Sequence, residues 1–223
     1  MWFKKKIDNS EITSVQSVVE YTLLDPRATQ KDIENCINVA IKNKYWGVCV
    51  NPTNVSLAKY YINHKAVENL KVVAVVGFPL GANTLGSKLY EAKNAISDGA
   101  DEIDVVINIG KAKEGDFGYI KNELSRIVRS CHNKIIKAII ETCYFDRDEI
   151  IELCKTCMRA KVDYIKTSTG FGTGGATPEV VALIADTVAG KCGIKAAGGI
   201  RTAKQAEDLI RAGATRIGTS TEI

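Results

Sequence analysis

Short apolar runs alternate with amphipathic segments along nearly the whole chain. In residues 29–44, apolar side chains recur at the spacing of one face of an α-helix, as Ile33, Cys36, Ile37, Ala40 and Ile41. The runs between such segments are short and rich in valine and isoleucine, which predicts buried strands of a parallel sheet. Eight strands are predicted in this way, at residues 21–26, 46–52, 71–82, 102–110, 134–143, 164–170, 193–200 and 215–220.

A helical pattern follows each of the first seven predicted strands, and capping residues in 9–19 predict a short N-terminal helix. No helix is predicted after the eighth strand. This alternation predicts an α/β protein with a single (β/α)8 TIM barrel over residues 1–223, in which residues 1–20 form the lead-in and the terminal eighth helix is missing. A doubly wound open sheet is the alternative, but no GxGxxG sequence opens a helix after the first strands.

Composition and charge exclude several function classes. The net charge is only +4, and the one basic cluster, at residues 4–6, is more typical of a solvated terminus than of a nucleic-acid-binding arm. No apolar run reaches the roughly 18 residues that span a membrane, and the N-terminus lacks the apolar core of a secretory signal. Seven cysteines, an odd number scattered through predicted strands and helices, favour free thiols and a cytoplasmic location.

Three of the predicted strands carry a lysine where an apolar side chain is expected. Lys137, Lys166 and Lys195 follow one another at intervals of 29 residues, one strand-helix unit each, and Asp104 precedes the first by 33. Strand alternation turns all four toward the barrel interior, at similar heights. The structural interpretation is an internal ion-pair network. The functional one is a reactive amine, because a buried lysine is costly unless it is used.

An amine attacks a carbonyl only in its neutral form, and a free lysine near pKa 10.4 is almost wholly protonated at neutral pH. Desolvation and neighbouring ammonium groups both lower a lysine pKa. Lys166 lies on the middle strand of the three, which favours it as a Schiff-base nucleophile. Asp104, paired with Lys195 directly or through a water, is then expected to move protons in the reaction.

Glycine-rich loops follow the last three predicted strands. In α/β barrels, the loops after strands seven and eight commonly hold phosphate. Together the three loops predict a phosphate site, although each glycine pair alone is more often a turn. Arg201 is expected either to bind the phosphate or only to lie at a solvated helix start. The candidate phosphate residues are Gly170, Gly198, Gly199, Arg201, Gly218 and Ser220.

In these residues and motifs the sequence resembles the deoxyribose-phosphate aldolases, class I aldolases of the DeoC type. The resemblance runs along almost the whole chain and lies in the blocks VVGFPLGANT, EIDVVINIG, KAIIET, YIKTSTGFGTGGAT and IKAAGGIRT. It implies a carbon–carbon lyase of carbohydrate degradation that cleaves 2-deoxy-D-ribose 5-phosphate reversibly to D-glyceraldehyde 3-phosphate and acetaldehyde. It also implies no metal and no organic cofactor.

Motif positions carry the family's roles onto this chain. Lys166 matches the Schiff-base lysine, Lys195 the lysine beside it, and Asp104 the proton donor and acceptor. Lys137 and Cys49 match residues lining the substrate site, although a packing thiol is the more common role for such a cysteine. The six candidate phosphate residues, except Arg201, lie where the family holds phosphate.

Two departures from the family pattern leave alternatives open. Glu20 and Tyr21 stand where the family usually has Asp-His, and the chain ends at Ile223, where the family continues into a closing helix. Either a homodimer interface covers the apolar face left open, or stability and activity suffer. The alternatives are an inactive sugar-phosphate-binding barrel and a Schiff-base enzyme for another phosphorylated sugar.

Two further motifs are interpreted as structural. Cys154-x-x-Cys157 has no second cysteine pair, and His64 and His132 belong to no ligand motif. No metal site is therefore expected.

Overall fold

The chain forms a closed barrel of eight parallel strands in a computed structural model that describes residues 12–223. Each strand pairs with its sequence neighbours, and β1 also pairs with β8. This closure confirms the predicted TIM barrel over the open sheet. The strands are β1 Val19–Leu23, β2 Gly47–Val50, β3 Lys71–Val76, β4 Glu102–Val106, β5 Ile135–Ile139, β6 Tyr164–Lys166, β7 Gly193–Ala197 and β8 Arg216–Thr219.

Helices surround the barrel and bury their apolar faces against it. Ile33 and Ile37 of α1 are fully buried in the same core as Ile103 and Val105 of β4. This shared core explains why the strand residues that point outward are almost all apolar. The helices are α1 Gln30–Lys42, α2 Val55–His64, α3 Leu85–Ser97, α4 Ile109–Lys113, α5 Phe117–Ser130, α6 Arg147–Ala160, α7 Pro178–Val188 and α8 Ala203–Arg211.

The short helix α4 was not predicted. Asn108 lies beyond the end of β4, and its side chain accepts a hydrogen bond from the Lys111 N–H at 3.0 Å. A capped helix of five residues is too short to show a periodic pattern in the sequence.

The chain enters the barrel two residues earlier than predicted. The helix expected in residues 9–19 falls partly outside the described residues, and the described part contains a single 3-10 turn, Gln16–Val18. Strand β1 then starts at Val19, which pairs with Ile217 of β8. Parallel pairing on both sides of β1 outweighs the weak local helical pattern.

Beyond β8 the described chain forms no helix. Its last residue contacts the connection between α1 and β2: the N–H of Ile223 donates to the Tyr45 hydroxyl at 3.0 Å, and that hydroxyl donates to the Ile223 carbonyl. The described helices include none long and apolar enough to cross a membrane.

Candidate active site

Seven charged side chains fill the inside of the barrel and contact one another. All are buried, with at most 5% of any side chain exposed. They alternate with the outward apolar residues of their strands, which is why the sequence pattern revealed several of them. The cluster consists of the cations Lys137, Lys166, Lys195 and Arg216 and the carboxylates Glu20, Glu102 and Asp104.

Asp104 is the centre of this cluster. Its Oδ2 lies 3.0 Å from Lys166 Nζ and 2.7 Å from Lys195 Nζ, and its Oδ1 lies 2.8 Å from Lys137 Nζ. Burial alone raises the pKa of this carboxyl, but the charges of the three lysines outweigh it and hold the pKa well below its usual range. The expected pairing of Asp104 with Lys195 is therefore a direct contact.

The three lysines do not all lie in one row. In the strand register Lys166 stands opposite Lys195, and Asp104 stands opposite Lys137. Lys137 also stands opposite Tyr164, two residues before Lys166. The strands of a closed barrel tilt against its axis, so register partners do not lie at equal heights, and all three lysines still reach Asp104. Equal sequence spacing does not fix register, because loop and helix lengths absorb the difference.

Lys137 and Lys195 are held as cations by the carboxylates around them. Burial lowers the pKa of each lysine. The negative charges of Asp104 and Glu20 raise it by more than burial lowers it, so the pKa of each lies above its usual range. Lys137 contacts Glu102 at 2.6 Å in addition to Asp104. These two lysines are therefore poor nucleophiles and good sources of positive charge.

Glu20 is the carboxylate that stands where the family that the sequence resembles usually has aspartate. Its Oε2 contacts Lys195 Nζ, and its Oε1 lies 3.2 Å from Lys137 and 3.0 Å from Arg216. Burial raises the pKa of Glu20, yet the charges of Lys137 and Lys195 bring it down to about 2. The longer side chain thus supplies a carboxylate that reaches three cations at once.

The lower part of the cluster was not predicted from the sequence. Arg216 stacks over the Trp46 ring at 4.1 Å and lies 3.3 Å from Glu102, whose other oxygen accepts a hydrogen bond from Trp46 at 3.3 Å. The signal was present, because Glu102 and Arg216 stand two residues before Asp104 and Gly218 on their strands. Period-two alternation turns all four inward.

The charges of this ion-paired cluster do not balance while every group is ionised, since four cations face three carboxylates. Lys166 differs from the other three cations, because its only ion pair among residues 12–223 is with Asp104. Lys166 is thus the cation of the cluster with the fewest ion pairs among the described residues.

A cavity of about 660 Å³ opens at the carboxyl ends of the strands. Lys166 lies on its wall, and all six residues predicted to hold phosphate line it as well. Lys137 and Cys49, expected to line the substrate site, do not: both are fully buried and absent from its wall. Lys137 is enclosed by carboxylates, and Cys49 packs in a small apolar cluster where burial raises its pKa.

Glycines form another part of the cavity wall. Gly198 has a φ of +89°, and a Cβ there would lie 3.0 Å from the Gly175 Cα and 3.2 Å from the Ser168 Cβ. Within residues 12–223, the backbone N–H groups of Gly170 and Gly199 make no hydrogen bond. This wall therefore offers free N–H groups to an anion.

Two further polar groups lie near this wall. The buried Ser168 Oγ has no hydrogen-bond partner among the described residues. The Arg201 side chain is exposed, while its N–H and that of Thr202 donate to Gln205 at the start of α8. The guanidinium, rather than the backbone of Arg201, is thus available to a ligand.

Two aromatic rings form an apolar side near the amine. Lys166 Nζ lies 5.9 Å from the centre of the Phe78 ring, which meets the Phe171 ring edge to face at 5.3 Å. Phe78 packs against a cluster that includes Val75 and Leu24. Phe171 lines the same cavity as Lys166 and the glycines, so the cavity offers an aromatic surface as well as backbone N–H groups.

Glu20, Cys49 and Asp104 are the one group within residues 12–223 whose ligand atoms lie close enough to hold a metal ion. Both carboxylates already bind the ammonium of Lys195, which would face the ion. The residues therefore do not fit a metal. Cys154 and Cys157 are buried in α6, where burial raises the pKa of Cys154 to about 12.

Comparison with known proteins places the chain among aldolases. The model of the DeoC/LacD aldolase family matches residues 6–221. The chain is 47% identical to a deoxyribose-phosphate aldolase of Thermococcus gammatolerans over 94% of its own length and 93% of the relative's. An aldolase called QR15 is 38% identical, with a TM-score of 0.89, over 94% of this chain and 92% of that structure. A tetrameric deoxyribose phosphate aldolase from Aeropyrum pernix is 32% identical, with a TM-score of 0.85, over 92% of this chain and 86% of that structure. A match over almost the full length, on a barrel with this buried lysine and aspartate cluster, shows that the chain belongs to the DeoC/LacD family of aldolases.

Proposed function

We propose that this protein cleaves 2-deoxy-D-ribose 5-phosphate reversibly to D-glyceraldehyde 3-phosphate and acetaldehyde, through a Schiff base on Lys166. One observation carries the proposal: a single cavity joins an amine beside Asp104 to a wall of free backbone N–H groups. A phosphorylated aldehyde sugar has the two matching ends, an electrophilic carbonyl and an anion. The names of the relatives point to the same substrate.

The reaction starts at the aldehyde carbon of the open-chain sugar. Neutral Lys166 attacks C1, the carbonyl oxygen takes up one proton, and the attacking nitrogen releases one, which gives a neutral carbinolamine. A second proton makes that hydroxyl leave as water, and a protonated Schiff base remains. Lys195 supplies these protons, and Asp104, in contact with both amines, passes them between the two lysines.

Carbon–carbon cleavage follows from the positive charge on the Schiff-base nitrogen. A base removes the proton of the C3 hydroxyl, the C2–C3 bond breaks, and its electron pair moves to C2 to form an enamine. The C3 fragment leaves as glyceraldehyde 3-phosphate. Protonation of C2 and addition of water then release acetaldehyde and restore the free amine. Asp104 is the carboxylate within reach of the nitrogen throughout.

The remaining roles follow from the two sides of the cavity. The phosphate occupies the wall formed by Gly170, Gly198, Gly199, Gly218 and Ser220, with the Arg201 side chain at its edge. The two carbons of acetaldehyde lie against Phe78. Lys137 acts from below, because its charge stabilises Asp104 and Glu20 in their ionised forms.

The proposal includes a cofactor-free reaction in the cytoplasm. The buried ammonium of Lys195 supports the first part, since it fills the position a metal would need. A self-associated state of the enzyme is also part of the proposal, with a homodimer as its simplest form; the Aeropyrum pernix relative is a tetramer.

Borohydride trapping tests the proposed chemistry directly. The protein is reduced with sodium borohydride in the presence of acetaldehyde, and the adduct is located by peptide mass mapping. We expect one adduct, on Lys166, and none in Lys166→Arg, which keeps the charge and loses the nucleophile. Lys121→Arg, at an exposed lysine of α5, is the matched control and keeps the adduct. A folded protein that binds sugar phosphate without forming an adduct would support the inactive barrel instead.

A further inference from the structure

Glu141 is a buried carboxylate outside the ion-pair cluster. It follows β5, is 1% exposed, and has no ion pair within residues 12–223. Its backbone is left-handed, with φ 49° and ψ 66°, which is uncommon for a residue with a side chain. Such a conformation is strained and persists only where its surroundings hold it in place.

The neighbours of Glu141 in the chain hold this conformation in place through their backbone hydrogen bonds. The N–H of Ile140 donates to the Lys166 carbonyl at 3.0 Å, and the N–H of Thr142 donates to the Thr167 carbonyl at 2.9 Å. The hydrogen bonds between β5 and the β6 chain thus continue on both sides of Glu141. The residue between them is turned so that its side chain points at the loop after β6.

Apart from the Cys143 thiol, which lies 3.9 Å from Oε1, the hydrogen-bond partners of the Glu141 carboxylate belong to one residue of that loop. Both oxygens lie 3.2 Å from the N–H of Thr169, and the Thr169 hydroxyl donates to Oε2. The same hydroxyl accepts a hydrogen bond from the Phe171 N–H at 3.0 Å. The hydroxyl can accept from Phe171 because its own proton is directed to the carboxylate.

These hydrogen bonds, which run from the Glu141 carboxylate through Thr169 to Phe171, span the turn that joins the two sides of the cavity. Gly170, inside the turn, has a φ of +88° and belongs to the glycine wall, and Phe171 belongs to the apolar side. Gly172 closes over the carboxylate, because a Cβ there would lie 3.2 Å from the carboxyl carbon of Glu141. The Glu141 side chain, acting through Thr169, therefore fixes the conformation of this turn.

We propose that Glu141 is a positioning residue which, through Thr169, sets the free N–H of Gly170 for the substrate phosphate. The inference rests on the proposed function, since it assigns a role within that phosphate site. Glu141 does not touch the substrate and takes no part in the proton transfers. Its loss therefore weakens recognition of the phosphate and leaves Schiff-base formation on Lys166 intact.

Glu141→Gln is the substitution that tests this role. Glutamine keeps the size but replaces one oxygen with an NH2 group, which faces the two donors of Thr169 and cannot accept from either. Losing a hydrogen bond to a charged group typically costs a factor of about ten or more. We expect KM for 2-deoxyribose 5-phosphate to rise about tenfold, with kcat changed by less than about threefold.

Two further readouts separate positioning from general damage. Turnover of unphosphorylated 2-deoxyribose and acetaldehyde trapping on Lys166 are expected to stay at wild-type level in Glu141→Gln. Glu123→Gln, at another buried glutamate, is the matched control: it lowers Tm but leaves the ratio of kcat/KM for the two sugars unchanged. Thr169→Val is expected to reproduce the loss, and Thr169→Ser, which keeps the hydroxyl, to recover it.

The outcomes distinguish this inference from the proposed function. If wild-type protein forms no adduct with acetaldehyde, the proposed function fails and the inference fails with it. If the adduct forms and Glu141→Gln keeps the wild-type kcat/KM ratio for the two sugars, only the positioning role is wrong. An equal loss on both sugars would also overturn it, because that pattern reports damage to the amine. Should Glu141→Gln not fold, the Thr169 pair decides by the same ratio.

Discussion

Removing the charge of Glu20 is expected to destabilise the protein in a way that depends on pH. Glu20→Gln keeps the side-chain shape but takes a carboxylate away from Lys195, Lys137 and Arg216, all of them buried. The pKa of Glu20 falls from 4.5 to about 2 in the folded protein. At about 1.4 kcal/mol for each pH unit, this difference corresponds to about 3 kcal/mol of stability at neutral pH.

The sign follows from the direction of the pKa. A carboxyl whose pKa is lower in the folded state binds fewer protons there than in the unfolded state near pH 4. Its contribution is complete above about pH 4.5, the unfolded value, and is lost as the pH falls from there toward 2. The stability difference between wild type and Glu20→Gln is therefore largest at neutral pH and shrinks in acid.

Urea unfolding followed by circular dichroism measures this difference at pH 7, 5, 4 and 3.5. We expect the free energy of unfolding of Glu20→Gln to be lower by about 3 kcal/mol at pH 7 and 5. We expect the gap to narrow at pH 4 and further at pH 3.5. Glu68→Gln, at an exposed glutamate in the connection between α2 and β3, is the matched control and changes little at any pH.

Two results would refute this reasoning. A stability difference that is the same at every pH would mean that Glu20 acts by packing and not by charge. No difference at pH 7 would mean that the contacts of Glu20 with the three cations only repay the cost of burying it, as happens for many buried ion pairs.

Three other substitutions test the site and the structure around it. Lys195→Leu is expected to lower kcat/KM at least about 100-fold and to move the pH–rate profile, because it removes the proton source; an unchanged profile would take Lys195 out of the transfer. Gly198→Ala puts a methyl group 3.0 Å from Gly175 at a φ of +89°, so KM for the phosphorylated sugar rises about tenfold while acetaldehyde trapping persists. Glu123→Gln leaves the ammonium of Lys88 buried without its partner, now 2.8 Å away, and lowers the free energy of unfolding by about 3 kcal/mol in urea titrations.

The barrel and the inward position of its charged residues could be predicted because both follow from local periodicities of the sequence. Valine- and isoleucine-rich runs alternate with helical patterns, and the alternation within a strand fixes which side chains point inward. Lys166, Lys195 and Asp104 were found as exceptions to an apolar pattern, and the structure brings them together within 3.0 Å. The same rule, applied two residues further down, would have found Glu102 and Arg216.

What the sequence did not reveal depends on register and on loop conformation. The two-residue offset of Lys137 from Lys166 follows from how β5 and β6 pair, which no local pattern encodes. Glu141 resembles one more inward strand residue until its left-handed backbone turns it toward Thr169. The start of β1 at Val19 is likewise decided by pairing with β8. Each of these features is set by a partner distant in sequence.

In the proposed reaction, the buried cluster explains why a barrel with several inward lysines needs only one of them as a nucleophile. The carboxylates of Asp104 and Glu20 hold Lys137 and Lys195 as cations, since they raise the pKa of both. A lysine held in this way can give up a proton briefly but cannot attack a carbonyl. Lys166 shares one carboxylate oxygen with Lys195, has no second ion pair in residues 12–223, and faces the cavity. Nucleophile and acid are thus distinguished by how many carboxylates surround each amine, and Glu20 is the residue that makes the difference for Lys195.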